Sequence, residues 1–196
     1  GDLWPGHQLY RETILTRYPR HRIVQLPQSL HYKDPAAIER SKRVIGAHPD
    51  FHLLVRDLPS RDFAVTHFDC NVVLAPDSAF GLDISTFPAP QSGAGIRGLF
   101  RADHEKRPDA DAGLAAFSGL HVEDWYQKGV GHKRLSRNAM RVVRRALPVP
   151  GWMSLRGAAF DWMARSIVAE GFLQLARAEV VVTDRLHGHI MSELLG

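Results

Sequence analysis

Residues 179–189 read EVVVTDRLHGH. The three valines are apolar and β-branched and make a strand; the polar turn after them runs into HIMSELLG, which starts a helix. A strand that turns directly into a helix is the repeating piece of a parallel α/β sheet.

Working outward, the same piece recurs. Residues 22–26 (RIVQL) make a short strand broken by Pro27. Asp34 and Pro35 are a cap and first turn for a helix through Ile45, stopped by Gly46. Residues 51–55 (FHLLV) predict a strand covered on both faces, followed by a helix capped by Ser60 and reaching Phe68. Residues 71–75 (NVVLA) supply the next strand. Upstream, Pro5 fits the first turn of a helix whose buried stripe is Leu9, Ile14 and Leu15, ending at Tyr18 and Pro19. Repeated strand–helix–strand units imply a parallel sheet with right-handed crossovers.

Residues 85–95 (STFPAPQSGAG) are rich in Pro, Gly and Ser and read as a linker. It separates an N-terminal α/β unit, residues 1–84, from a C-terminal α/β unit, residues 96–196, that opens with the strand IRGLFR. Residues 105–131 show no clear period, and residues 132–147 form a basic amphipathic segment broken by Pro148. A long helix over 154–178 and the strand 179–183 follow. Both ends read as cut: no strand precedes Gly1, and Gly196 falls inside a helix.

Composition limits what such a chain does. Its 196 residues, 44% hydrophobic and 23% charged, suit a globular protein with a real core. No run approaches the roughly 18 apolar residues of a spanning helix, and the opening is no signal peptide. Cys70 is the single cysteine, which excludes an intrachain disulfide and a cysteine metal cage and makes the cytoplasm the default. The 25 basic and 21 acidic residues leave +4, and 20 of the 25 are Arg. That surplus suits fork-like recognition of a small anion, and nucleic acid is not needed to explain it.

Ligands of open α/β sheets bind at the carboxyl ends of strands. Polar turns stand at four such ends: residues 25–29, Arg56 and Asp57, residues 101–105, and residues 183–189. The last is the sharpest, because Arg185 and His187 lie beside free helix-start N–H groups. Arg offers a fork for phosphate or carboxylate and His a proton near neutral pH. The plainer alternative, Arg185 paired with Asp184 and His187 packing a turn, stays open. His187 and His189 make an H-x-H pair with no clear third ligand, so no metal is expected. Arg56 and Asp57 read as a self-paired structural turn. Arg101 and Asp103 either do the same or face the cleft of the second unit. The basic segment is a solvated face, with docking on anionic lipid headgroups as its sharper alternative. Trp4, close to Gly1 and Asp2, is a candidate platform for stacking a sugar.

GDLWPGHQ, IVQLPQSLHY, LLVRDLPS, VVLAPDSAF, LFRADHEK and VVTDRLHGHIMSELLG follow one another along the chain. In that order and spacing the sequence resembles the polysaccharide pyruvyl transferase family from Gly1 to Gly196, loosely between Lys106 and Ala178. The PQS, RD-x-x-S, APD-x-AF and DRLHGH blocks are specific together.

The resemblance implies two Rossmann-like units in the manner of GT-B glycosyltransferases, with a cleft between them. It implies transfer of a pyruvyl group from phosphoenolpyruvate to a sugar, as a cyclic ketal on two hydroxyls. Family members decorate bacterial exopolysaccharides and cell-surface glycans, often on lipid-linked oligosaccharides. Carried onto this chain, phosphoenolpyruvate falls on Arg185, Leu186 and His187, with Arg101 as a second anion clamp. His187 becomes the general acid and Asp2 the base for the attacking hydroxyl. Gly1 ends the family's glycine-rich loop, beside Trp4 on the substrate side. Phosphoenolpyruvate is a co-substrate and no cofactor is implied; the expected location is cytoplasmic, at the inner face of the membrane if lipid contact occurs. Two alternatives remain: a GT-B glycosyltransferase using a nucleotide sugar, and a non-catalytic glycan- or phosphate-binding protein.

Overall fold

The computed structural model describes residues 5–87, 93–101, 120–123, 125 and 151–196. The chain divides into two compact units, Gly1–Gly81 and Leu82–Gly196, each an α/β unit around a parallel sheet.

In the first unit the order is α1 (Pro5–Arg17), β1 (Ile23–Gln28), α2 (Pro35–Gly46), β2 (Phe51–Val55), α3 (Leu58–His67) and β3 (Asn71–Leu74). The strands lie parallel in the order β1-β2-β3. Phe51, Leu53 and Val55 point into a core closed by Leu15, Ile45, Ala64 and Phe68. Burying a side chain such as Leu53 contributes about 1.5–3 kcal/mol. His52 and Leu54 are only half-buried, so the two-sided cover expected of β2 is complete on one face.

Three local expectations change. The strand runs through Pro27 to Gln28, because β1 is an edge strand and its pairing with β2 slips between Gln25 and Gln28, where a missing N–H is tolerated. The cap of α3 is Asp57, not Ser60: Asp57 Oδ1 accepts from the Ser60 N–H at 2.8 Å, with Pro59 in the first turn. Of the stripe expected on α1, Leu15 is buried in the core but Leu9 and Ile14 are not. Leu9 is 61% exposed and Ile14 45%, while Gln8, Glu12 and Leu15 are buried. A polar seam with α2 overrides the apolar period. Gln8 Nε2 donates to Glu12 Oε1 (2.8 Å), the Ala37 carbonyl (3.2 Å) and Ser41 Oγ (3.0 Å), and Arg40 pairs with Glu12 at 2.9 Å.

The second unit contains β4 (Ile96–Leu99), β5 (His121–Glu123), α4 (Trp152–Leu175), β6 (Val180–Thr183) and α5 (Leu186–Leu195). Its parallel sheet has the order β5-β4-β6. Leu99, Phe172, Leu175 and Met191 form the core, and Leu82, Ile84, Phe87 and Trp125 pack against it. β5 lies in the stretch without a readable period; three residues are too few to show one. The basic segment 132–147 and Asp103 fall outside the described residues. Among the described residues, no helix is long and apolar enough to cross a membrane.

Candidate active site

The carboxyl edge of the second sheet is held by side chains of its own turn. Thr183 Oγ1 donates to the Leu99 carbonyl at 2.7 Å and accepts from the Arg185 N–H at 3.0 Å. Asp184 Oδ1 accepts from the Arg101 N–H at 2.9 Å. The ends of β4 and β6 are therefore tied together, and Arg101 and Arg185 leave neighbouring parallel strands.

Arg185 is the residue that caps α5, and it makes no side-chain cap hydrogen bond. The cap residue itself thus supplies no acceptor to the N–H groups of the first turn, which is where anions are commonly held. His187 is exposed in that same turn, and Leu186 is 42% exposed. Gly188 explains how the helix comes so close. A β carbon there would stand 2.8 Å from Thr183 Oγ1 and 3.0 Å from a Leu99 methyl. His189 lies two residues beyond His187, about 200° around the helix, so the two imidazoles leave different faces. Gly1, Asp2 and Trp4 lie outside the described residues.

At the carboxyl edge of the first sheet, three of the sequence blocks meet. Arg56 Nη1 pairs with Asp77 Oδ2 at 2.5 Å, and Arg56 Nε donates to Ser29 Oγ at 2.9 Å. Ser29 Oγ donates in turn to Asp57 Oδ2 at 2.6 Å, and Asp77 Oδ1 accepts from the Ala79 N–H at 2.9 Å. Arg56 is therefore not self-paired with Asp57 but joins the turns after β1, β2 and β3. Burial pushes the Asp57 carboxyl up, yet bonds from Ser29 and Ser60 and the Arg56 charge together hold it below its ordinary range. The sequence signal was present: PQS, RD-x-x-S and APD-x-AF each close a strand. Their mutual pairing needed the strand order.

Cys70 is half-buried against the first core, and burial, with the Asp69 charge adding to it, pushes its thiol up to about 11. It is a poor nucleophile at neutral pH.

A family model described as Polysaccharide pyruvyl transferase matches residues 1–196. The chain belongs to the polysaccharide pyruvyl transferase family. Among curated proteins, this pyruvyl transferase family chain is 30% identical over 203 residues to "Putative pyruvyl transferase EpsO" of Bacillus subtilis (strain 168), covering 100% of the chain and 59% of that protein. It is 30% identical over 202 residues to "Pyruvyl transferase 1" of Schizosaccharomyces pombe, covering 100% of the chain and 47% of the relative. The chain thus spans about half the length of the curated relatives it matches.

Proposed function

We propose that the protein takes part in transferring a pyruvyl group from phosphoenolpyruvate to a sugar of an exopolysaccharide or cell-surface glycan, as a cyclic ketal, in a GT-B-like enzyme. One observation carries the reading: Arg101 and Arg185 emerge from adjacent strand ends, tied together by Asp184, at the start of the helix that bears His187. The family and the names of the relatives support it. Phosphoenolpyruvate has a carboxylate and a phosphate, and two guanidinium forks with helix N–H groups suit such a molecule.

The chemistry follows from those groups. His187 donates its proton to the methylene carbon, turning it into a methyl group and leaving C2 oxocarbenium-like. A sugar hydroxyl adds to C2 and gives up its proton, for which Asp2 is the nominated base. A second hydroxyl then displaces phosphate and closes the ketal, its proton going to solvent. Arg101 and Arg185 stabilise the negative charge on the departing phosphate. Leu186 borders the donor, and Gly1 and Trp4 belong to the acceptor side. The reaction is assigned to the cytoplasm, at the inner membrane face when the acceptor is lipid-linked.

Phosphate release decides between readings. Incubation with phosphoenolpyruvate and a saccharide acceptor is expected to liberate inorganic phosphate and give a product heavier by the pyruvyl ketal. Nucleoside diphosphate released from a nucleotide sugar instead would replace this function with glycosyl transfer.

A further inference from the structure

A cavity of about 220 Å³ lies between α1 and β1 of the first unit, lined by Gln8, Arg11, Ile14, Ile23, Gln25 and Gln28 among others. The cavity opens partly to solvent, and its volume exceeds what a few water molecules occupy. It reaches Gln28, the last residue of β1, whose neighbour Ser29 belongs to the Arg56–Asp77 cluster at the carboxyl edge.

Two of its residues carry buried polar atoms with no hydrogen-bond partner among the described residues: Arg11 Nε, a donor, and Gln25 Oε1, an acceptor. A buried polar atom left without a partner is unfavourable, so each is a ready point of attachment for a ligand. Arg11 Nη2 donates to Tyr32 Oη at 2.7 Å and to Ser41 Oγ at 3.3 Å, both neutral groups. The nearby carboxylate of Glu12 is occupied by Arg40, Gln8 and Ser41. Among the described residues, then, the half-buried Arg11 charge has no carboxylate partner. Ile14 and Ile23 add apolar wall.

A ligand that matches this lining carries an anionic group for Arg11, hydroxyls that both donate and accept for Gln25 and Gln28, and a C–H face for the isoleucines. We propose that the α1–β1 cavity is a subsite for a carboxylate-bearing sugar residue, of the hexuronate type, in the acceptor glycan. The inference rests on the saccharide-acceptor reading above and narrows it to anionic glycans.

Equilibrium titrations of the protein with methyl glucuronide, methyl glucoside and inorganic phosphate test this. The expected result is glucuronide binding at least about tenfold tighter than glucoside, a difference of about 1.4 kcal/mol. Arg11→Met is expected to abolish that preference. Gln25→Leu is expected to weaken both sugars about fivefold, and it keeps the test alive if the Arg11 variant does not fold. Equal binding of the two glycosides, or phosphate binding as tightly as glucuronide, overturns the subsite. Titration with phosphoenolpyruvate separates the two proposals. If phosphoenolpyruvate binds without any glucuronide preference, only the subsite falls. If glucuronide is preferred and phosphoenolpyruvate does not bind, the subsite stands and the donor assignment falls.

Discussion

Asp184 Oδ1 accepts a hydrogen bond from the backbone N–H of Arg101 at 2.9 Å, across 83 positions of sequence. One carboxylate therefore fixes where the neighbouring strand end delivers its arginine. Adjacent strands lie about 4.8 Å apart, so Arg101 and Arg185 start close together, as the proposed grip on one small dianion requires.

Replacing that carboxylate separates placement from charge. Asp184→Ala is expected to lose about 1 kcal/mol of stability and to raise the KM for phosphoenolpyruvate about tenfold. Asp184→Asn keeps an oxygen acceptor and is expected to stay close to the parent in both. Steady-state kinetics with thermal melts check it, and an Asn variant as impaired as the Ala variant would refute the placement role.

His187 is exposed, so removing it is expected to leave the melting temperature nearly unchanged. His187→Ala is expected to lower phosphate release by at least about a hundredfold, the usual scale of a general acid. Full turnover in a folded variant would take the general acid away from His187.

Arg56 is a clamp between turns, and its loss acts on stability. Asp77 is 9% exposed and would lose the Arg56 cation. The expected cost of Arg56→Ala is about 2 kcal/mol, reduced by the partial exposure of the arginine. Urea unfolding measures it. A change below a few tenths of a kcal/mol would show that the Ser29–Asp57 and Ala79–Asp77 bonds hold these turns without it.

Acid is expected to weaken the first unit through Glu12 and Asp57. Burial raises the Glu12 carboxyl, but Gln8, Ser41 and Arg40 outweigh it and hold it below its ordinary value, as Ser29 and Ser60 do for Asp57. Both bind protons less readily folded than unfolded, so the unfolded chain takes up protons first as pH falls. Their stabilisation is complete above the unfolded values, about 4.3 for Glu and 3.9 for Asp, and is lost as pH drops through the lower folded ones. Melting temperature measured from pH 6 down to pH 3 should decline, and less steeply in Glu12→Gln. An unchanged slope in that variant would contradict the assignment.

Sequence reading located β2, α2 and the turn from β6 into α5 closely, because their signals are local: apolar β-branched runs, an Asp–Pro start, a polar turn. It failed where tertiary partners decide. The period that placed Leu9 and Ile14 inside α1 lost to Gln8, two of whose three bonds reach Ala37 and Ser41 of α2. Arg56 and Asp57 looked self-sufficient as neighbours, yet the cation's partner, Asp77, arrives from beyond β3. At the second edge, Thr183 and Asp184 were legible as polar turn residues. Their bonds to Leu99 and Arg101 depend on β4 lying beside β6, which no local pattern states.

The elevated thiol of Cys70 has a practical consequence. At pH 7 a group titrating near 11 is ionised in only about one molecule in ten thousand, whereas an exposed cysteine titrates near 8.5. A maleimide dye will therefore choose a cysteine introduced at an exposed position such as Leu9 over the native one. Single-site fluorescent labelling can proceed with Cys70 left in place.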